Sequence, residues 1–213
     1  AHEWGHSLYE QGLPSGTHEW FAWPLGHATS MGVHESQSLF WENRVGRSLA
    51  FSEQFLSDFV HAGAPLNSPQ DLWRAMNPLE PSLNRVEADE LSYGLHILIR
   101  TDLEIALLEE NLDVDDLPNE WNKKYEELIG VIPKNDREGC LQDVHWSEGA
   151  FGYFPSYLLG HLISAQLSQA MNNCLKEFGI EGVDPIGTCI AKRDESRLIA
   201  WLRKEVHCQG KKL

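Results

Sequence analysis

The sequence predicts a mainly α-helical fold, with short extended pieces near Val33 and Cys140. Two observations carry that prediction. Apolar residues recur at helical spacing over long stretches. Gly- and Pro-rich breaks separate those stretches, and no internal repeat or low-complexity segment interrupts the pattern. At 213 residues the chain can bury a real core, so a single helical domain over 1–213 is expected.

The first helix is predicted from Ala1 to about Gly12, stopped by Gly12-Leu13-Pro14-Ser15-Gly16. The stretch from Thr17 to Gly32 holds Trp20, Phe21, Trp23, Pro24 and Gly26 and reads as a structured loop. Its aromatics are expected in the core, with a place along a substrate cleft as the alternative. A second helix is predicted from Val33 to about Phe59, on apolar positions such as Phe40, Trp41, Val45, Leu49 and Phe55. Residues 62–68 form a break, and a short helix follows from Pro69 to Met76. Leu91 to Asn111 reads as a long helix, and Pro118 to Ile129 as an amphipathic one closed by Gly130. Residues 131–138 read as a linker. Gly139 to Trp146 has no clear period. A helix is expected from Pro155 to Phe178, one or two more between Pro185 and Lys204, and a polar, frayed tail from His207 to Leu213.

Composition excludes some functions. Hydrophobic residues make up 42% and charged residues 23%, as in ordinary globular proteins. The formal net charge of -15 repels phosphate backbones, which disfavours nucleic-acid binding. No apolar run approaches the roughly 18 residues that span a bilayer, so no membrane partner is expected. The chain opens on a charged, His-rich segment instead of a signal peptide. Cys140, Cys174, Cys189 and Cys208 form no C-x-x-C pair, so zinc-ribbon and thioredoxin readings fail. Free thiols in a reducing, cytoplasmic setting are expected, with a disulfide as the alternative.

One stretch names a reaction class. His2-Glu3-Trp4-Gly5-His6 is an H-E-x-x-H, which sets two imidazoles on one helix face. That spacing can hold one Zn²⁺, with Glu3 placed to take a proton from water. The competing reading is three polar residues on an exposed helix. A zincin of the gluzincin type takes its third ligand, a Glu, from a second helix, and Glu35 fits. The alternative for Glu35 is an exposed carboxylate favoured by the helix dipole. A zinc hydrolase also needs donors for the oxyanion, for which His145, Tyr153 and Tyr157 are candidates. A carboxypeptidase needs a cation for the substrate's free carboxylate, and Arg85 can form a bidentate pair.

These segments together resemble the carboxypeptidase Taq family of metallocarboxypeptidases. His2 to His6, trailed by Ser7-Leu8-Tyr9-Glu10-Gln11-Gly12, resembles the family's zinc helix. His34-Glu35-Ser36-Gln37-Ser38, followed by Trp41-Glu42-Asn43 and Gly46-Arg47-Ser48, resembles its H-E-S-Q segment. Arg85-Val86-Glu87-Ala88-Asp89 matches R-x-x-A-D, and Gly139 to Trp146 matches G-x-x-Q-D-x-H-W. Gly152 to Tyr157 matches the segment that comes next.

The resemblance implies a helical gluzincin catalytic domain with His2, His6 and Glu35 as metal ligands and Glu3 as base. It implies Arg85 and Gln142 at the substrate, and His145 with Tyr153 or Tyr157 at the oxyanion. Asp143 has a second reading, in which it orients a neighbour. The implied activity is release of C-terminal residues from peptides with Zn²⁺ or Co²⁺, and the family tends to form homodimers.

The sequence also departs from the family. The family is about twice this length and carries upstream H-P-F and D-x-R-x-T elements, and further helices follow the region of Trp201 to His207. Leu39 stands where the family usually has Arg. A fragment of a longer enzyme is therefore expected. The alternatives are a non-catalytic metal-binding helical domain and a helical scaffold that binds no metal.

Overall fold

The computed structural model describes residues 1–21 and 23–211. Among them the regular structure is entirely helical: α1 (His2–Gly12), α2 (Met31–Leu39), α3 (Leu49–His61), α4 (Pro69–Met76), α5 (Tyr93–Leu108), α6 (Leu117–Leu128), α7 (Pro155–Glu177), α8 (Pro185–Ala191) and α9 (Glu195–Glu205), with short 3₁₀ turns between them. The mainly α expectation holds, but its extended pieces do not. Val33 lies in the first turn of α2, whose N-cap Ser30 accepts a hydrogen bond from the Val33 amide at 3.2 Å. Cys140 lies in a run of turns.

The chain divides into two compact units, residues 1–76 with 159–213, and residues 77–158. In the first unit a core of Leu8, Phe40, Trp41, Met171, Ile190 and Leu198 joins α1, α7, α8 and α9 to the turn after α2. Each such buried Leu, Ile or Phe side chain contributes roughly 1.5–3 kcal/mol relative to exposure. In the second unit Ile99, Leu103, Trp121, Tyr125 and Ile129 pack α5 against α6, with Cys140 and Trp146 closing the cluster.

Three expectations change. The single helix from Val33 to Phe59 is two helices. α2 passes into a π-helical turn, Phe40–Gly46, and a new helix starts at Ser48, whose hydroxyl accepts from the Phe51 amide at 3.1 Å. The π turn keeps Phe40 and Trp41 in the core while Glu42 faces α1.

The aromatic loop does not fill the core. Phe21 is 75% and Trp23 61% exposed.

The tail is tied down at its start. His207 is 1% exposed, and its Nε2 donates to Gln37 Oε1 at 3.0 Å. The Lys211 amide donates to the Leu25 carbonyl at 2.8 Å. Lys212 and Leu213 lie outside the described residues.

Two glycines let the helices of the first unit approach closely. A Cβ on Gly5 would stand 2.6 Å from the Gln37 carbonyl oxygen and 2.7 Å from Ser38 Cα, so α1 rests directly on the α2 backbone. A Cβ on Gly160 of α7 would stand 2.7 Å from both Cβ and Cγ of Glu35.

Candidate metal centre

α1 presents His2 and His6 one turn apart, and α2 brings Glu35 to meet them. A donor atom from each of these three residues lies within 4.8 Å of the other two. Glu35 Oε2 is 3.4 Å from His6 Nε2 and 3.9 Å from His2 Nε2. The Glu35 side chain is only 12% exposed, which removes the reading of a solvated first-turn carboxylate. Burial acts to raise its pKa. The adjoining imidazoles, His6 before His2, outweigh that and hold the carboxyl below its usual range. Two imidazoles and a carboxylate are a donor set suited to a divalent metal such as Zn²⁺. Glu3 sits between the two histidines on α1 and is exposed.

Behind each histidine stands a further layer that the motif does not reveal. His2 Nδ1 is 2.8 Å from Glu42 Oε2, and Arg47 Nη2 donates to Glu42 Oε1 at 2.7 Å. The bond to Glu42 raises the His2 pKa, against burial, which lowers it. His6 Nδ1 is 2.7 Å from His34 Nδ1, and His34 Nε2 is 2.9 Å from Glu10 Oε1. Sequence reasoning missed Glu10, His34, Glu42 and Arg47 as site residues. Each lies inside a segment quoted for the family likeness, but spacing alone does not show which of them face the histidines.

The second unit gathers the remaining predicted residues. Arg85 is buried, and its Nε and Nη2 both donate to Asp143 Oδ1, at 3.2 and 2.9 Å. It is buried away from the exposed Glu87 and Glu90 beside it in sequence. Asp89 instead accepts from the amides of Leu91 and Ser92 ahead of α5. Arg100, fully buried, donates from Nε to Asp143 Oδ2 at 2.6 Å and from Nη2 to Gln142 Oε1 at 2.9 Å. Burial raises the Asp143 carboxyl, but the two guanidinium groups together hold it below its usual range.

Gln142 has its amide committed on both sides. Its Nε2 donates to the carbonyls of Leu83 and Glu138, and its Oε1 accepts from Arg100 and from the Arg85 amide. His145 Nε2 is 3.1 Å from the Tyr157 hydroxyl, and its ring lies 5.4 Å from that of Tyr153. The Arg85 guanidinium stacks over the Tyr157 ring at 4.6 Å. Burial lowers the His145 pKa, which favours a neutral ring.

The family model described as carboxypeptidase Taq (M32) metallopeptidase matches residues 1–213. The chain belongs to the M32 metallopeptidase family. It is similar to thermostable carboxypeptidase 1 of Thermus thermophilus, 46% identical over 98% of this chain and 39% of that one. It is also similar to carboxypeptidase 1 of Bacillus subtilis, 44% identical over 99% of this chain and 40% of the relative. The structure of metallocarboxypeptidase 1 of Trypanosoma cruzi superposes with a TM-score of 0.89 at 38% identity, over all of this chain and 43% of that one. The chain thus spans about 40% of the length of the curated M32 relatives it matches. The helical fold agrees with these M32 structures, and the family implies a divalent metal.

Proposed function

We propose that this chain carries the metal centre and substrate-recognition residues of a metal-dependent carboxypeptidase that releases C-terminal residues from peptides. The observation that carries the reading is the convergence of donor atoms from His2, His6 and Glu35, with Glu3 between the histidines. Those three would hold the cation, Zn²⁺ or Co²⁺. A bound divalent metal supplies Lewis acidity, polarising a water molecule and the scissile carbonyl. Glu3 takes the proton of the attacking water and passes it to the leaving amine. Arg85, pre-set by Asp143, pairs with the free carboxylate of the substrate. Gln142 serves substrate binding indirectly, by holding the Arg85 amide and Arg100. His145, with Tyr153 or Tyr157, donates to the oxyanion. The homodimer and the cytoplasmic setting belong to the same reading.

A test is hydrolysis of blocked dipeptides with and without a chelator. The expected result is activity that the chelator abolishes and metal restores. Glu3→Gln should keep the metal and lose about 10²–10⁴-fold in kcat. Activity that survives chelation would refute the mechanism.

A second reading is favoured by the chain's coverage of only about 40% of its relatives: a metal-binding helical domain without turnover. Stoichiometric metal uptake without peptide hydrolysis would select it.

A further inference from the structure

We propose that His34 and Glu10 form a positioning relay that fixes the tautomer of His6 and so makes His6 Nε2 the atom offered to a metal. The inference rests on the metal reading above and concerns residues outside the ligand trio.

The direction of the relay follows from its outer end. Glu10 Oε1 is 2.9 Å from His34 Nε2, and an ionised carboxylate only accepts. The proton between them is therefore on His34 Nε2. A neutral imidazole has one N–H, so His34 Nδ1 is left as an acceptor. The atom facing it at 2.7 Å is His6 Nδ1, which must then donate. With its proton on Nδ1, His6 keeps a bare lone pair on Nε2, the nitrogen 3.4 Å from Glu35 Oε2. Two lone-pair atoms facing each other at that distance are satisfied by a shared cation.

The opposite direction would undo this. If His34 donated from Nδ1, the His6 proton would move to Nε2 and block ligation. Glu10 prevents that because it has no proton to give. The pair it makes with His34 is worth little to stability, since the Glu10 side chain is 55% exposed. Its role is orientational. The same helix–helix contact places Glu10 within reach, because Gly5 lets α1 rest on α2. His2 is handled differently: its Nδ1 bonds a carboxylate, Glu42, directly, and Arg47 steadies that carboxylate. His6 has an imidazole in that place, and only the acid behind the imidazole gives it a direction.

The test has two arms on the intact chain. Long-range ¹H–¹⁵N spectra of ¹⁵N-histidine-labelled protein without metal read the tautomers. His6 is expected as the Nδ1–H form and His34 as the Nε2–H form. Zinc affinity by competition calorimetry is then compared across variants.

His34→Ala should weaken binding by about 10–100-fold. His34→Gln should restore a large part, because its amide oxygen can accept from His6 Nδ1–H while its NH₂ faces Glu10. Glu10→Lys should weaken binding and shift the His6 signals toward Nε2–H, because a lysine can only donate. Glu53→Lys, the same charge reversal at an exposed position on α3, serves as the control and should change neither readout.

An Nε2–H form of His6 in the parent chain would overturn the proposal, as would equal affinity of the parent and His34→Ala. A parent chain that shows the expected tautomers but takes up no zinc would overturn the metal reading and uphold the relay's direction.

Discussion

Asp143 takes Arg85 on one carboxylate oxygen and Arg100 on the other. Removing its charge leaves the fully buried Arg100 guanidinium without its acid. Asp143→Asn is therefore expected to cost about 3–5 kcal/mol of stability in urea unfolding. A loss below about 1 kcal/mol would show that the pair is screened. At this scale the sequence is unevenly legible. His2, His6 and Glu3 can be read because their spacing has one geometric meaning on a helix. Asp143 as an orienting residue was open in the motif, and its contacts with the two guanidinium groups support that reading. His34 and Glu42 were not legible as partners of His6 and His2. They lie 28 and 40 residues along the chain, and only tertiary packing sets which ring nitrogen each one meets.

At the scale of elements, the geometry of the candidate metal ligands depends on how closely three helices lie together. α7 crosses Glu35 at Gly160, where an added Cβ would stand 2.7 Å from the carbon stem of Glu35. In Gly160→Ala, helix propensity favours alanine by about 1 kcal/mol, while overpacking costs about 1–3 kcal/mol. The clash is with the base of Glu35, which cannot swing aside cheaply, so the net change should be destabilising. It should also carry Glu35 away from the histidines and weaken zinc binding by about tenfold or more. Calorimetry on the variant checks this, and unchanged affinity would show that α7 can retreat without moving Glu35.

The break between α2 and α3 shows why the helix boundaries were only partly legible. The apolar positions from Phe40 to Phe59 suit a continuous helix, and the stop lies in Gly46-Arg47-Ser48, where Ser48 is a recognisable N-cap only in hindsight of the π turn. The exposed Phe21 and Trp23 make a related point: residue type favours a core for large aromatics, but a loop with no amphipathic period leaves their direction undetermined.

At the scale of the molecule, each unit buries one histidine in a neutral state. Burial lowers the pKa of His207 to about 4, with Arg203 adding to the shift. Burial, followed by Arg100, does the same to His96, also to about 4. An unfolded histidine binds its proton near pH 6.5. Between about pH 6.5 and 4 the unfolded chain therefore carries more protons, and stability declines as pH falls through that window. Each histidine accounts for a loss on the order of 3 kcal/mol once the pH is below both values. Urea unfolding at pH 7 and pH 4.5 should show the decline, and His207→Gln should flatten its share. A variant as pH-sensitive as the parent would exclude His207 as a source.

The helical class was legible from periodicity. The division into units was not, because the first unit joins residues 1–76 to 159–213 and composition marks no seam. That discontinuity bears on biosynthesis. The second unit is contiguous, so all its internal contacts lie within one stretch of nascent chain. The first unit must wait. Gln37 is made 170 residues before its partner His207, the ring that also abuts Gly12 and Tyr9 at the base of α1. The helices that carry the candidate metal ligands are thus made well before the segment that locks them in place.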